Sequence, residues 1–202
     1  MFVPPFTTAV RGVLNQMNGQ YIRALADLTP AIELGRSFIR LEYQKQFAPL
    51  LLLWKGIGAF VARNPRYKIL FGPVSISNQY HSLSRELMIS FLEKRASLNN
   101  LIRFIRPRNK PVRIAAGPLC KDVDDLSDVI NDIEASRRGV PVLLRQYLRL
   151  GGNLLGFNVD PDLANALDGL IVVNLTHTEL KLLERYLGKQ EAAAFLQFQK
   201  GN

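Results

Sequence analysis

Cysteine is nearly absent: Cys120 stands alone in 202 residues, which excludes an internal disulfide. Histidine is scarce as well, with only His81 and His177, so no Cys/His spacing of the zinc-binding kind exists. This poverty fits a reducing compartment. Long hydrophobic runs are also missing. The longest apolar stretch is interrupted by Lys55 and is too short to span a bilayer. The opening MFVPPFTTAVRG has neither the apolar core nor the small-residue cleavage site of a signal peptide. From these absences the expectation is a cytoplasmic, soluble protein, membrane-peripheral at most.

What is present is a globular composition, 48% hydrophobic and 21% charged, in a length that suits one domain. The formal net charge of +9 calls for an acidic partner: nucleic acid, anionic lipid or acidic protein. That charge is local. Arg85, Lys94, Arg95, Arg103, Arg106, Arg108, Lys110 and Arg113 stand against only Glu86 and Glu93. The reverse follows at once, in Asp122, Asp124, Asp125, Asp128, Asp132 and Glu134. Two readings are open: faces that are solvated or neutralise each other, and a docking patch for something anionic. Nucleic acid finds no support beyond charge, because aromatic residues do not interleave with the basic ones in any base-binding motif.

Periodicity divides the chain into alternating strands and helices. Residues 1–30 are weakly patterned, with a short helix over 9–17, a segment over 21–28 and Pro30 as punctuation. Residues 31–39 read as a strand, since Ile32, Leu34 and Phe38 share a two-residue period. Phe47–Arg63 reads as a helix with Pro49 in its first turn; it is apolar on most faces, which predicts burial. A strand follows over 67–77, with Pro73 predicting an irregularity or an edge. Residues 82–95 form an amphipathic helix on Leu83, Leu87 and Phe91. A basic connector spans 99–113 and an acidic helix 123–135. A helix over 140–150 opens at Pro141 and closes at Gly151-Gly152. Two strands, 154–159 and 170–175, flank a turn at Asp160-Pro161, and helices over 179–186 and 191–198 finish the chain. Alternation of this kind predicts an α/β protein, and the late pair of strands makes its sheet mixed.

Four constellations carry possible chemistry. Glu33-Leu34-Gly35-Arg36 puts two opposite charges in an apolar strand, which is costly unless they are paired or useful. They point to opposite faces unless Gly35 marks a bulge. The turn before Phe47–Arg63 offers helix-opening amides and Lys45 to a phosphate, without a glycine-rich loop. Residues 72–80 end a strand in small polar residues, with Ser75 and Ser77 on one face, and strand ends of this type often form a site. There His81 reads as a helix-cap residue or a base. Arg145 and Arg149 share a helix face, for an anion or for solvent.

Four segments, in order, carry a resemblance: AIELGRSFIRLEYQ, LLLLWKGIG, RYKILFGPVSIS and PVLLRQYLRLGGNLLGFNVDPDLANALDGLIVVNL. Over residues 20–198 they resemble ornithine-lipid-type, haemolysin-like N-acyltransferases of the GNAT superfamily, and the E-x-x-R strand is similar to that of acyl-homoserine-lactone synthases. The resemblance implies a GNAT-like mixed central sheet flanked by helices over residues 20–202. Two parallel strands, 32–39 and 68–75, would splay and hold the phosphopantetheine arm of an acyl donor. It implies no permanently bound cofactor. The donor would be acyl carrier protein or acyl-CoA, and the acceptor the amine of an amino acid destined for a membrane lipid.

The resemblance also implies site residues. Glu33 would act as general base, and Arg36 would hold the acceptor carboxylate or orient Glu33. Ser37, Phe38, Ile39, Lys45, Ser75, Ser77 and Asn78 would line the donor site. Arg95, Arg103, Arg106, Arg108 and Lys110 would dock an acidic carrier protein. Only about thirty residues precede Glu33, where the fold ordinarily places a strand, two helices and two more strands, so the expectation is a domain truncated at its N-terminus or completed by another polypeptide. The competing function is a non-catalytic module that binds an acidic protein or an anionic membrane. A lytic protein is disfavoured, with no spanning segment and no amphipathic pore helix in the sequence.

Overall fold

Parallel and antiparallel pairing meet in one sheet. The computed structural model describes residues 30–35, 39–43, 47–96, 107, 109–111, 120–161 and 164–201. In chain order its elements are β1 (Ala31–Glu33), α1 (Phe47–Arg63), β2 (Ile69–Ile76), α2 (Ser82–Ala96), α3 (Val123–Ile133), α4 (Val142–Arg149), β3 (Asn153–Asp160), β4 (Ala166–Asn174), α5 (Leu180–Leu187) and α6 (Lys189–Lys200). Among the described residues the sheet has four strands, in the order β1-β2-β4-β3. β1 lies parallel to β2, with Ala31, Ile32 and Glu33 opposite Ile69, Leu70 and Phe71. Parallel neighbours need a crossover, and α1 supplies it. β4 is antiparallel to both β2 and β3. This mixed sheet flanked by helices is the α/β class expected, and it is consistent with a GNAT-like fold.

One face of the sheet carries the main core. Ile32, Leu70, Val74, Leu154, Ile171 and Val173 belong to a single buried cluster with side chains from all six described α-helices, among them Trp54, Met88, Ile130, Tyr147, Leu183 and Phe195. Burial of side chains this large contributes roughly 1.5–3 kcal/mol each. Trp54 meets Tyr147 edge-on at 5.2 Å and Tyr186 at 5.9 Å, which joins α1, α4 and α5. α1 comes so close to α5 that a β-carbon on Gly58 would lie 2.3 Å from the Tyr186 carbonyl oxygen.

The helix ends follow local chemistry. Asp122 caps α3, its carboxylate accepting the Asp124 and Asp125 N–H groups at 2.9 Å each. His81 takes the cap-region role: its Nδ1 accepts the Leu83 N–H at 3.2 Å. Gly151 and Gly152 close α4, donating to the carbonyls of Leu148 and Tyr147. At the sheet's outer edge, Val159 donates its N–H to the Asn109 carbonyl at 2.9 Å, and the Asn109 side-chain amide donates to the Val159 carbonyl at 3.2 Å.

Three expectations need correction. α1 is not wholly buried: Trp54 is 3% exposed, but Leu52 is 66% and Phe60 42% exposed on the other side. On α2 it is Ser84, Leu87, Met88 and Leu92 that turn inward, while Leu83 is 45% exposed. Along β2, Pro73 faces Leu170 in an unbroken antiparallel register. Its nitrogen points to the β1 side, as does the Phe71 carbonyl that accepts the Leu34 N–H at 2.7 Å, and Leu34 is the last described β1 residue to pair. The donor that Pro73 lacks is therefore missing on that side, and the described irregularity of the sheet lies instead in β3, between Leu154 and Gly156. The strand expected over 31–39 is regular over Ala31–Glu33 and stays hydrogen-bonded through Leu34. The N-terminal helix and segment foreseen over 9–17 and 21–28, and most of the basic connector, lie outside the described residues.

Candidate functional site

The site begins at the last described pairing of β1 with β2. Among the described residues Leu34 makes the last bond, to Phe71. Gly72 is what allows the strands to come so close there: a β-carbon at that position would sit 2.7 Å from the Leu34 carbonyl oxygen. Glu33 is opposite Phe71. Its side chain therefore emerges on the sheet face opposite the main core.

The Glu33 carboxylate is partly buried, and its Oε2 has no hydrogen-bond partner among the described residues. Burial raises its pKa above the usual 4.5. Oε1 lies 3.4 Å from the place a β-carbon on Gly35 would take, so the carboxylate is folded back along its own strand. A desolvated carboxylate with an oxygen like Oε2 is a costly feature in a fold, and its affinity for a proton is increased.

A second polar group lies further along the same face. Ser75, Asp168 and Asn158 are cross-strand partners on β2, β4 and β3. The Ser75 hydroxyl donates to Asp168 Oδ1 at 2.6 Å. Ser75 is exposed, whereas Asp168 is only 6% exposed. Burial pushes the Asp168 carboxyl upward, the charge of Asp160 adds to this, and the Ser75 hydrogen bond opposes it. Glu33 and Ser75 are separated by four residues of strand register, about 13 Å at 3.3 Å per residue. Between them the face changes from buried Phe71 through Pro73 to exposed Ser75, so it opens in the direction away from Glu33's pairing.

The strand end is tied down by its polar residues. Ser77 Oγ accepts the Gln79 N–H at 3.2 Å. Asn78 donates its side-chain amide to the Ala164 carbonyl at 2.6 Å, reaching the turn where Ala164 and Asn165 both have positive φ. Ile39 is half-buried. Arg36, Ser37, Phe38, Lys45, Arg103, Arg106 and Arg108 lie outside the described residues. Arg95 and Lys110 are exposed, and the Arg95 guanidinium stacks over Phe91 at 5.5 Å.

Arg145, offered by its spacing as an anion binder, is engaged by α3: it donates to the Ser127 hydroxyl and lies 3.7 Å from Asp124. Asp132 and Glu134 pair with Arg137 and Arg138. The acidic segment is thus matched at several points by arginines that follow it in sequence. Asp168 was not singled out by sequence, although a carboxylate inside ALDGLIVVN was a visible signal. Among the described residues there is no group of three His, Cys, Asp or Glu side chains that could hold a metal ion. None of the described helices is long and apolar enough to cross a membrane.

Known proteins place this geometry in context. A glycine N(alpha)-acyltransferase of Bacteroides thetaiotaomicron is 29% identical over 143 residues, which are 64% of this chain and 42% of the relative. A protein of the same name from Phocaeicola vulgatus is 29% identical over 140 residues, 62% of this chain and 42% of the relative. The alignment with these curated relatives thus spans less than half of their length. No family model and no solved structure matches the chain. The chain is related to acyltransferases.

Proposed function

We propose that the chain is an N-acyltransferase of the GNAT type, moving an acyl group from a thioester to the amine of an amino acid. The observation that carries this reading is the Glu33 carboxylate, whose buried Oε2 has no hydrogen-bond partner among the described residues, beside the last described pairing of β1 with β2. Its relatives' names supply the reaction class, and glycine is the first acceptor to test.

An amino acid arrives largely as its ammonium form and must lose a proton before it attacks. Glu33, with its raised pKa, is a suitable acceptor for that proton. The amine nitrogen then bonds to the thioester carbonyl carbon, the carbon–sulfur bond breaks, and the thiolate leaves with a proton. Backbone N–H groups beyond the described β1–β2 pairing are the natural donors to the developing oxyanion. Arg36 has the right chemistry for a bidentate grip on the acceptor carboxylate. Ser75 offers an exposed hydroxyl to the donor arm on the same face.

The donor we favour is an acylated carrier protein, an acidic partner for the exposed cations Arg95 and Lys110 and for Arg103, Arg106 and Arg108 near them in sequence. The product would be an N-acyl amino acid serving membrane-lipid synthesis. Mass spectrometry of lipid extracts tests this, from cells expressing the chain, its Glu33→Ala variant or an empty vector. A new N-acyl amino acid in the first alone supports both the activity and Glu33. The same product from both proteins removes Glu33 from the mechanism, and no product from either removes the activity.

A further inference from the structure

α1 contains no acidic residue in its 17 positions. Its inner arc packs on the core through Trp54, Ile57, Gly58 and Val61. The outer arc consists of Leu52, Lys55, Gly56, Ala59, Phe60 and Arg63, all exposed. At 100° per residue these six fall within about 140° of the helix circumference. A helix face meant for water carries polar residues of mixed charge. This one alternates apolar residues with cations only. Its end extends the pattern: Arg66 stacks on Tyr67 at 4.8 Å, and the Tyr67 ring lies 6.1 Å from that of Phe60.

We propose that the outer face of α1 is a docking surface for an anionic membrane. Leu52 and Phe60 would seat at the acyl boundary, and Lys55, Arg63 and Arg66 would meet lipid phosphates. Bilayer surfaces are apolar and anionic within the same few ångströms, which is the combination this arc presents. A second copy of the chain is a poor occupant by charge, since a symmetric contact would set Lys55 and Arg63 against their own equivalents. The inference stands on α1 and does not depend on the acyl-transfer reading. It also places membrane contact on a helix whose composition had predicted burial.

Flotation of the full chain with vesicles tests it. Wild type is expected to float with phosphatidylcholine vesicles that contain phosphatidylglycerol, and to float poorly with phosphatidylcholine alone. Leu52→Asp and Phe60→Asp should each abolish flotation. Lys55→Glu and Arg63→Glu should each weaken binding at least about fivefold, the equivalent of about 1 kcal/mol per lost basic residue. Val142→Asp makes the same kind of change at a residue 69% exposed on α4, and it should bind as wild type does. The proposal is overturned if wild type binds neither vesicle, or if the α1 variants bind as well as Val142→Asp. It is equally overturned if sedimentation shows a dimer that Leu52→Asp dissociates, without vesicle binding.

Discussion

The Ser75 hydroxyl donates to Asp168 Oδ1 at 2.6 Å, across two antiparallel strands and 93 residues of sequence. The bond joins an exposed residue to a buried carboxyl, and it has a measurable consequence. A carboxyl whose folded pKa lies above its unfolded value binds more protons in the folded state, so stability falls as pH rises from the unfolded pKa through the folded one. For Asp168 that window opens near 3.8. Asp168→Asn keeps an acceptor for Ser75 and removes the buried charge. Its melting temperature should exceed that of wild type at neutral pH, with the gap closing as pH falls toward 3.8. A gap independent of pH would show that Asp168 charge is not what the fold resists.

Glu134 should behave in the opposite sense. Burial acts to raise its pKa, but the His81 N–H, 2.8 Å from Oε1, and Arg138, 3.1 Å from Oε2, help to hold it below 4.5. Its contribution to stability is present above the unfolded pKa and is lost as pH falls below about 4.5. Glu134→Ala should destabilise by about 2 kcal/mol at neutral pH, as expected for losing hydrogen bonds to a charged group. In urea melts the difference from wild type should shrink in acid; a constant difference would refute the charge-based account.

Glu33→Gln separates chemistry from folding. If Glu33 removes the acceptor's proton, the variant's acyl-transfer rate should fall by about 100-fold or more. Its melting temperature at neutral pH should hold or rise, since a desolvated carboxylate is removed. Measuring turnover and melting on the same preparations decides it: full turnover, or loss of turnover only through unfolding, would take the base role away.

Two glycines should respond in opposite directions. Gly72→Val places a side chain against the Leu34 carbonyl and must pry β1 from β2, for about 1–3 kcal/mol or more. Gly56→Ala meets nothing within 4 Å on the outer arc of α1 and should stabilise by about 0.5–1 kcal/mol. Chemical denaturation of both variants tests the pair together.

The boundaries of α1 were legible because Pro49 and Asn64-Pro65 punctuate a largely apolar segment. Which half of it would be buried was not. A helix apolar nearly all round has no pattern to choose a side, and the choice is made by α5, whose Tyr186 carbonyl presses on Gly58 from far along the chain. The same limit applies to the site. Glu33 stood out locally, as a charge in an apolar strand, and so did Ser75. The link from Ser75 to Asp168 depends on the register between β2 and β4, which no local spacing encodes. His81 was readable as a cap residue because capping is a local act, settled within two positions.

The bonds between Val159 and Asn109 have a consequence for handling the protein. Among the described strands β3 is an outer one, and Val159 offers its N–H and carbonyl outward. Such groups are templates on which foreign strands grow. With both held by Asn109, that stretch of edge is closed to templated aggregation. Replacing Asn109 with proline would remove the backbone N–H that Asn158 accepts and the side-chain amide that Val159 accepts, and with the Val159 carbonyl left to the Asn158 amide and its N–H to the proline carbonyl, this stretch of edge would be held more loosely. Shelf life in concentrated solution, rather than catalysis, is where that single residue would be missed.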